Sequence, residues 1–224
     1  MVIEIEFKLM IKHGCYEIVE GGLRNWSSNE DFMIQYGDDI SYNDLYYDTQ
    51  NKMLYRNGLY LRLRHPVDSA SKEITYRGYN AIGAKLLQMT DYNGQLTKES
   101  LKIILNKLKD IVQVTDYPNS ESNPISCFEK NGIKQIFSFD LQRMKFLLQY
   151  RKQKIGVVLL DRLVYHIDDL SIPYQEIEIK VQDTFLSVAD HLIMLFLNEF
   201  PNALQSTTLT KLQRAFLNKD TMTN

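Results

Sequence analysis

The sequence predicts an α+β fold, an antiparallel β-barrel capped by helices, on three observations. In Glu4-Ile5-Glu6-Phe7-Lys8 charged and apolar residues alternate, and the apolar series runs on through Leu9 and Ile11. Strand side chains alternate with a period of two, so Glu4, Glu6 and Lys8 share one face and Ile3, Ile5 and Phe7 the other. Far along the chain, Glu176-Ile177-Glu178-Ile179-Lys180 repeats the device. Between them, Leu59 to Arg64 sets Leu59, Leu61 and Leu63 opposite Arg62 and Arg64. On an open sheet such charged stripes are the solvent face. Turned inward by a closed barrel, they become a lumen of clustered carboxylates and bases.

Such a lumen has a definite chemistry. Hard divalent cations take oxygen ligands, and Mg²⁺ commonly uses one or two carboxylates together with substrate phosphates. Guanidinium groups match phosphate with a planar fork of donors. Acids for a metal and bases for phosphates predict a bound polyphosphate.

The elements follow in order. A first strand runs from Val2 to Ile11, and the poorly periodic stretch Glu17 to Trp26 reads as a short helix broken at Gly21-Gly22. A tyrosine-rich strand covers Ser41 to Asp48, Asn57-Gly58 is a turn signal, and the arginine strand Leu59 to His65 comes next. Lys72 to Tyr79 continues the meander beyond a loop over Pro66 to Ser71. Leu101, Ile104, Leu105, Leu108, Ile111 and Val112 recur at helical spacing, with Thr97 and Ser100 placed to cap that helix. Tyr117 to Pro124 reads as loop and Lys134 to Tyr150 as an interrupted strand. Val157 to Tyr165 is a strand with Asp161 on the face of Val157, Leu159 and Leu163. Phe185 to Phe200 is a largely apolar helix and Thr208 to Leu217 a shorter one. No repeat or linker divides the chain, so residues 1–224 are read as one domain. Many strands in a meander with a few helices fit a helix-capped barrel.

Composition narrows the classes. The 224 residues, 44% hydrophobic and 24% charged, suit one large barrel domain. A net charge of −2 supplies no global field for nucleic acid or an anionic membrane. Any polyanion must therefore be held by locally concentrated bases. The longest apolar stretch, Phe185 to Leu197, is too short for a bilayer and contains Asp190 and His191. The charged first residues exclude a secretory apolar region, and Cys15 and Cys127 lack metal spacing and read as free thiols. These readings predict a cytoplasmic protein with no nucleic-acid and no membrane partner. His13, His65, His166 and His191 lie on separate segments without ligand spacing. No glycine-rich phosphate loop occurs, so phosphate must be bound by side chains. The Phe185 to Phe200 helix caps the barrel, with a homodimer interface as its other use.

In these motifs the chain resembles the CYTH superfamily, the triphosphate tunnel metalloenzymes. Glu4, Glu6 and Lys8 match the family's N-terminal Glu-x-Glu-x-Lys strand, and Tyr46-Tyr47-Asp48-Thr49 its Tyr-Phe-Asp-Thr element. Leu54 to Arg64 resembles the Leu-Arg-x-x-Gly-x-x-Leu-Arg-x-Arg segment. Glu176-Ile177-Glu178 is similar to the late Glu-x-Glu strand, and Thr210-Lys211-Leu212 stands where the family has Ser-Lys-Tyr. The resemblance implies an eight-stranded antiparallel β-barrel forming an open, charged tunnel with flanking helices. It implies Mg²⁺ or Mn²⁺ held by Glu4, Glu6, Glu176 and Glu178, and a triphosphate small molecule as partner. Lys8, Arg56, Arg62, Arg64, Arg77, Arg143, Lys145 and Lys211 would bind phosphates. Asp161 would orient a base or a metal-bound water, and Lys8 has a second reading as a general base of depressed pKa.

The chain also departs from the family. After Arg77, where an Arg-x-Glu-x-Glu strand is usual, it has Lys85-Leu86-Leu87-Gln88-Met89, without acids, and Lys180 replaces a frequent third glutamate. Hydrolysis of tripolyphosphate, thiamine triphosphate or a nucleotide is the expected activity. A class IV-type adenylate cyclase, or a polyphosphate-binding protein without turnover, is the alternative.

Overall fold

A computed structural model describes residues 4–26, 31–82, 85–118 and 125–222, with side chains for all of these but Glu4, 79–91 and 220–222. The element order is β1 (Glu4–Ile11), α1 (Tyr16–Arg24), β2 (Phe32–Thr49), α2 (Met53–Arg56), β3 (Leu59–Pro66), β4 (Glu73–Ile82) and β5 (Lys85–Gln95). Then come α3 (Lys98–Leu108), α4 (Ser126–Lys130), β6 (Ile133–Tyr150), β7 (Gln153–Ile167), β8 (Leu170–Gln182), α5 (Leu186–Glu199), β9 (Leu204–Thr207) and α6 (Lys211–Met222).

All strand pairs are antiparallel, in the order β5-β4-β3-β2-β6-β7-β8-β1-β9. In addition β1 meets β5 at Ile5↔Leu87 and Glu6↔Leu86. Eight strands therefore make a circuit, joined at this seam by two residue pairs. Along the rest of that edge β1 pairs with β9, from Lys8 to Ile11. The barrel is thus not sealed along its whole seam, and the ninth strand is an addition to the expected eight. Its sequence, Leu-Gln-Ser-Thr, carries no alternation that would reveal it.

The barrel is apolar outside and charged inside. Ile5, Phe7, Leu9 and Ile11 face outward into a core with Val19 and Leu23 of α1 and Leu192 and Phe196 of α5. Leu61, Leu63, Ile74 and Tyr76 pack in the same way against Leu101, Ile104 and Leu105 of α3 and Phe128 of α4. Each such side chain contributes roughly 1.5–3 kcal/mol by leaving water. Part of the inner face is apolar too. Phe137, Phe139, Leu141, Leu163 and Tyr165 cluster with Leu212, Ala215 and Phe216 of α6. This helix floors the charged part of the lumen.

Several local readings change. The helix α1 runs through Gly21-Gly22, and Gly22 is there for space, since a Cβ would lie 2.3 Å from Phe200 Cζ. The strands β2 and β6 each extend over 18 residues. Register shifts at Tyr36/Asp38 and Tyr46/Tyr47 absorb the breaks in alternation that shorten or interrupt them in the sequence. Thr97 and Ser100 cap α3 reciprocally, as their spacing predicts. The short α2 and α4, of four and five residues, have too few positions to show a helical period. Of the expected Tyr117 to Pro124 loop, 119–124 lie outside the described residues. Cys15 and Cys127 are free thiols. No helix among the described residues is long and apolar enough to cross a membrane.

Candidate active site

Strand register builds the site. Arg143 on β6 lies directly opposite Asp161 on β7, and Asp161 opposite Glu176 on β8. Glu178 is paired with Lys8 of β1, and Lys180 with Glu6. Across the lumen, Asp44 of β2 is opposite Arg64 of β3, and Arg62 opposite Thr75 of β4. Directly opposed residues hold their Cβ atoms about 4.5–5.5 Å apart, so correct register puts each pair within bonding reach. A slip of one residue would turn a strand's whole set outward. At Gly156 the strand β7 comes so close to β8 that a Cβ would lie 1.9 Å from the Lys180 carbonyl oxygen.

One wall interlocks acids and bases. Arg143 donates through Nε and Nη2 to the two Asp161 oxygens at 2.7 and 2.6 Å, and Nη2 also reaches Glu178 at 3.0 Å. Lys8 Nζ lies 2.9 Å from Glu6 and 3.4 Å from Glu176, and also bonds Glu178. Lys180 is 3.3 Å from Glu6. Lys211 bonds Asp161 at 3.0 Å and both Glu176 and Glu178. Its delivery is local: Thr210 N–H donates to Gln213 Oε1 and Gln213 N–H to Thr210 Oγ1, a reciprocal cap that starts α6 at Lys211.

Burial decides the electrostatics here, because Asp161 and Glu176 are 0% exposed. Burial alone would raise every one of these carboxyls. For Glu178 it is overcome by Lys211, Lys8 and Arg143, which hold the group well below the usual range. Asp161 is lowered against its burial by Arg143 and Lys211. Burial and Glu178 push Glu6 up, yet Lys8, Lys180 and Lys211 bring it below its ordinary value. Glu176 goes the other way: burial raises it beyond what Lys211 and Lys8 offset. Burial would lower Lys8, but Glu176, Glu178 and Glu6 raise it well above the usual lysine value. Lys8 therefore lies among carboxylates, not among bases, and keeps its proton. That geometry does not favour its reading as a general base.

The opposite wall is a brace for guanidiniums. Arg64 sets Nε and Nη2 on the two oxygens of fully buried Asp44, at 2.7 and 2.6 Å. Arg62 reaches the same carboxylate through Nη1 at 3.5 Å and donates Nη2 to Thr75 Oγ1 at 3.2 Å. Thr75 in turn donates to Asn93 Oδ1 at 2.8 Å. Burial would raise Asp44, but Arg62 and Arg64 hold it below its ordinary value. Arg62 Nε is buried with no partner. A buried unmet donor costs about 1–3 kcal/mol, so an anionic ligand oxygen there is favoured.

Between the walls lies a cavity of about 120 Å³, reached by Arg62, Arg64, Arg77, Arg143, Lys8 and Lys211 and by Glu6 and Glu178. Tyr46 and Tyr60 line its side. Oxygens of Asp161, Glu176 and Glu178 lie within 4.8 Å of one another, and Glu176 Oε2 is buried without a partner. An oxygen-only donor set of this spacing fits a hard divalent cation.

The CYTH domain model matches residues 2–214. The chain belongs to the CYTH family. Solved structures with the same fold include HpAC1 from Hippeastrum, at TM-score 0.65 and 15% identity, covering 95% of each chain. The bh2851 protein of Bacillus halodurans follows at TM-score 0.57 and 21% identity, covering 95% of this chain and 96% of its own. The PH1819 protein of Pyrococcus horikoshii has TM-score 0.56 and 15% identity, over 96% and 99%. A sequence search of curated proteins finds no match.

In this CYTH chain the fold gathers Glu6, Lys8, Arg62, Arg64, Arg77, Arg143, Glu176, Glu178 and Lys211 in one place. Asp161 joins them by clamping Arg143 and Lys211. The side chain of Glu4 lies outside the described residues, as do those of Lys85 to Met89. Two expected phosphate ligands stand apart. Arg56 ends α2 and is exposed, because that short helix turns the chain before the inward face of β3 begins at Tyr60. Lys145 lies two residues beyond Arg143 but outside the cavity lining, 3.9 Å from Asp38. Asp48 of the tyrosine-rich landmark is structural: its carboxylate accepts from the N–H groups of Thr49, Leu54 and Tyr55 and holds the turn into α2. Sequence reasoning missed Asp44, Thr75 and Lys180 as members of the site. Asp44 and Lys180 were legible as the inward alternation of Tyr46 and Glu178 continued by two residues.

Proposed function

We propose that this chain is a divalent-metal-dependent hydrolase of triphosphate compounds. One observation carries the reading: a cavity lined by Glu6 and Glu178 on one wall, with Asp161 and Glu176 clustered behind Glu178, and by Arg62, Arg64 and Arg77 on the other. Buried charge networks of this kind seldom exist for stability, since apolar residues of equal volume are often neutral or better. A cavity that keeps so many charges therefore argues for ligand chemistry. The fold neighbour HpAC1 is described as having a dominant triphosphatase activity, which supports hydrolysis as the class of reaction.

In this reading Arg62, Arg64 and Arg77 grip phosphoryl oxygens, with Asp44 and Thr75 fixing the first two before the substrate arrives. Arg143, braced by Asp161, meets the phosphate chain from the opposite side. Phosphoryl transfer depends chiefly on positioning and on stabilising spread negative charge, which such preset guanidiniums supply. Glu6, Asp161, Glu176 and Glu178, joined by Glu4 if the family pattern holds, would hold Mg²⁺ or Mn²⁺. Such an ion, when bound, neutralises phosphate charge and acidifies water. Lys8 and Lys211 contribute positive charge at the cavity lining. Glu6, Asp161 and Glu178 are held below their ordinary values by the neighbouring cations, whereas burial raises Glu176.

The test measures phosphate, pyrophosphate and cyclic nucleotide released from tripolyphosphate, thiamine triphosphate and ATP with Mg²⁺ or Mn²⁺. Phosphate release from at least one is expected. Cyclic AMP with pyrophosphate would make the protein a cyclase, and binding without product would make it a polyphosphate-binding protein.

A further inference from the structure

We infer that the acidic wall takes up a divalent cation only together with the phosphate chain, because Lys211 and Lys8 occupy its carboxylates until an anion draws their ammonium groups away. The inference rests on the reading of the cavity as a metal and triphosphate site. Four carboxylates, Glu6, Asp161, Glu176 and Glu178, are in contact with four cations, Lys8, Arg143, Lys180 and Lys211. Among the described side chains of this wall, acids and bases are thereby equal in number.

The oxygens grouped within 4.8 Å belong to Asp161, Glu176 and Glu178, and Lys211 touches all three residues. A metal ion drawing ligands from that group would need the place the ammonium holds. Two cations sharing the same oxygens repel strongly in a buried setting, so one must leave. Arg143 is fixed by its two-pronged bond to Asp161. Lys211 and Lys8 each have a flexible four-carbon stem, and both line the cavity that the basic wall faces. Phosphate oxygens bound there offer the ammonium groups new acceptors. The anion thus opens the metal site, and by linkage the metal must strengthen anion binding by the same factor. The lysines act as positioning residues in this exchange: they set which ligand can enter first.

Mn²⁺ alone, titrated into the full chain, tests this by the loss of the free Mn²⁺ electron paramagnetic resonance signal and by thermal unfolding. Wild-type protein is expected to bind Mn²⁺ weakly and to show no rise in Tm. Lys211→Met is expected to unfold at a lower temperature without metal, to bind Mn²⁺ at least about tenfold more tightly than wild type, and to recover Tm when Mn²⁺ is added. Lys8→Met is the second variant, expected to move the same way, should the first not fold. With inorganic tripolyphosphate and Mn²⁺ together, the wild-type Tm should rise by more than the two separate shifts combined. Wild-type protein that binds Mn²⁺ as tightly as the variants, or additive Tm shifts, would overturn the inference and leave the triphosphatase reading standing. Absence of product from every triphosphate would overturn that reading and leave these binding results intact.

Discussion

The two walls of the cavity are built from the same residue types and solve opposite problems. On β1, β6, β7 and β8, four acids and four bases neutralise one another, Lys211 arriving from α6. On β2, β3 and β4, Arg62 and Arg64 share the single carboxylate of Asp44, with Arg77 beside them in the lining. Among the described residues, the first wall sets each base on one or more acids, whereas on the second Arg62 and Arg64 share the Asp44 carboxylate and Arg62 Nε has no partner. This is the asymmetry on which the proposed order, anion first at the braced arginines and cation second, depends. Charge type alone did not create this difference; pairing did.

The largest effect is expected from breaking the interlocked wall. Glu178→Gln removes the acid that contacts Lys8, Lys180, Lys211 and Arg143. It should lower kcat for triphosphate hydrolysis by about 10²–10³, the scale of several kcal/mol of lost charge stabilisation. Phosphate release with Mn²⁺ measures it, and unchanged turnover would remove Glu178 from the site.

Breaking the brace should be felt first in stability. Asp44→Asn leaves two buried guanidiniums without their counter-charge, and unfolding in urea should show a loss of about 3–5 kcal/mol. Added tripolyphosphate should restore part of it, since a ligand bound only by the folded state stabilises it. A variant as stable as wild type would show that Asp44 does not compensate those arginines.

The walls should also respond to acid together. Glu178, Asp161, Glu6 and Asp44 all lie below their ordinary values. Each contributes stability that is present above the unfolded carboxyl range, about pH 4, and is lost as pH falls through its folded value. Glu176, raised, works in the reverse sense and recovers stability on protonation. Four groups oppose one, so Tm should fall steeply below about pH 4. A Tm constant down to about pH 3 would contradict the ion-pair network. Lys8, raised, contributes stability lost only as pH rises through its folded value, above the usual lysine range.

The smallest effect is expected where sequence and structure part. Arg56→Ala and Lys145→Ala alter side chains outside the cavity, and each should change stability by less than about 0.5 kcal/mol and leave kcat/KM within about twofold. A tenfold loss in either would mean that substrate extends beyond the cavity described by Arg62, Arg143 and Lys211.

Much of the site was legible because strand alternation is a local property. Glu6 and Lys8, Arg62 and Arg64, and Glu176 and Glu178 each declare a shared face within three residues. The helix α3 was legible from its period and from Thr97 with Ser100. Arg56 was misplaced because α2 intervenes between it and the inward face of β3, and four residues show no period. Alternation with Tyr46 placed Asp44 on the inward face, but its partner, Arg64, lies 20 positions away, so its role as a brace was not legible. The continuity of β2 and β6 was hidden by bulges, which reset the alternation without ending the strand.

The sequence by itself determined which side chains stand together on each strand, since a period of two follows from backbone geometry alone. It also determined the cap at Thr97, which acts over three residues. Only the tertiary structure decided which face turns inward, that α6 floors the lumen, and that Lys8 meets Glu176 from 168 positions away. Those outcomes depend on strand register and ring closure, which are set by packing of the outer apolar faces against helices distant in the chain. Local alternation is blind to that packing, and so to the balance of charge on each wall.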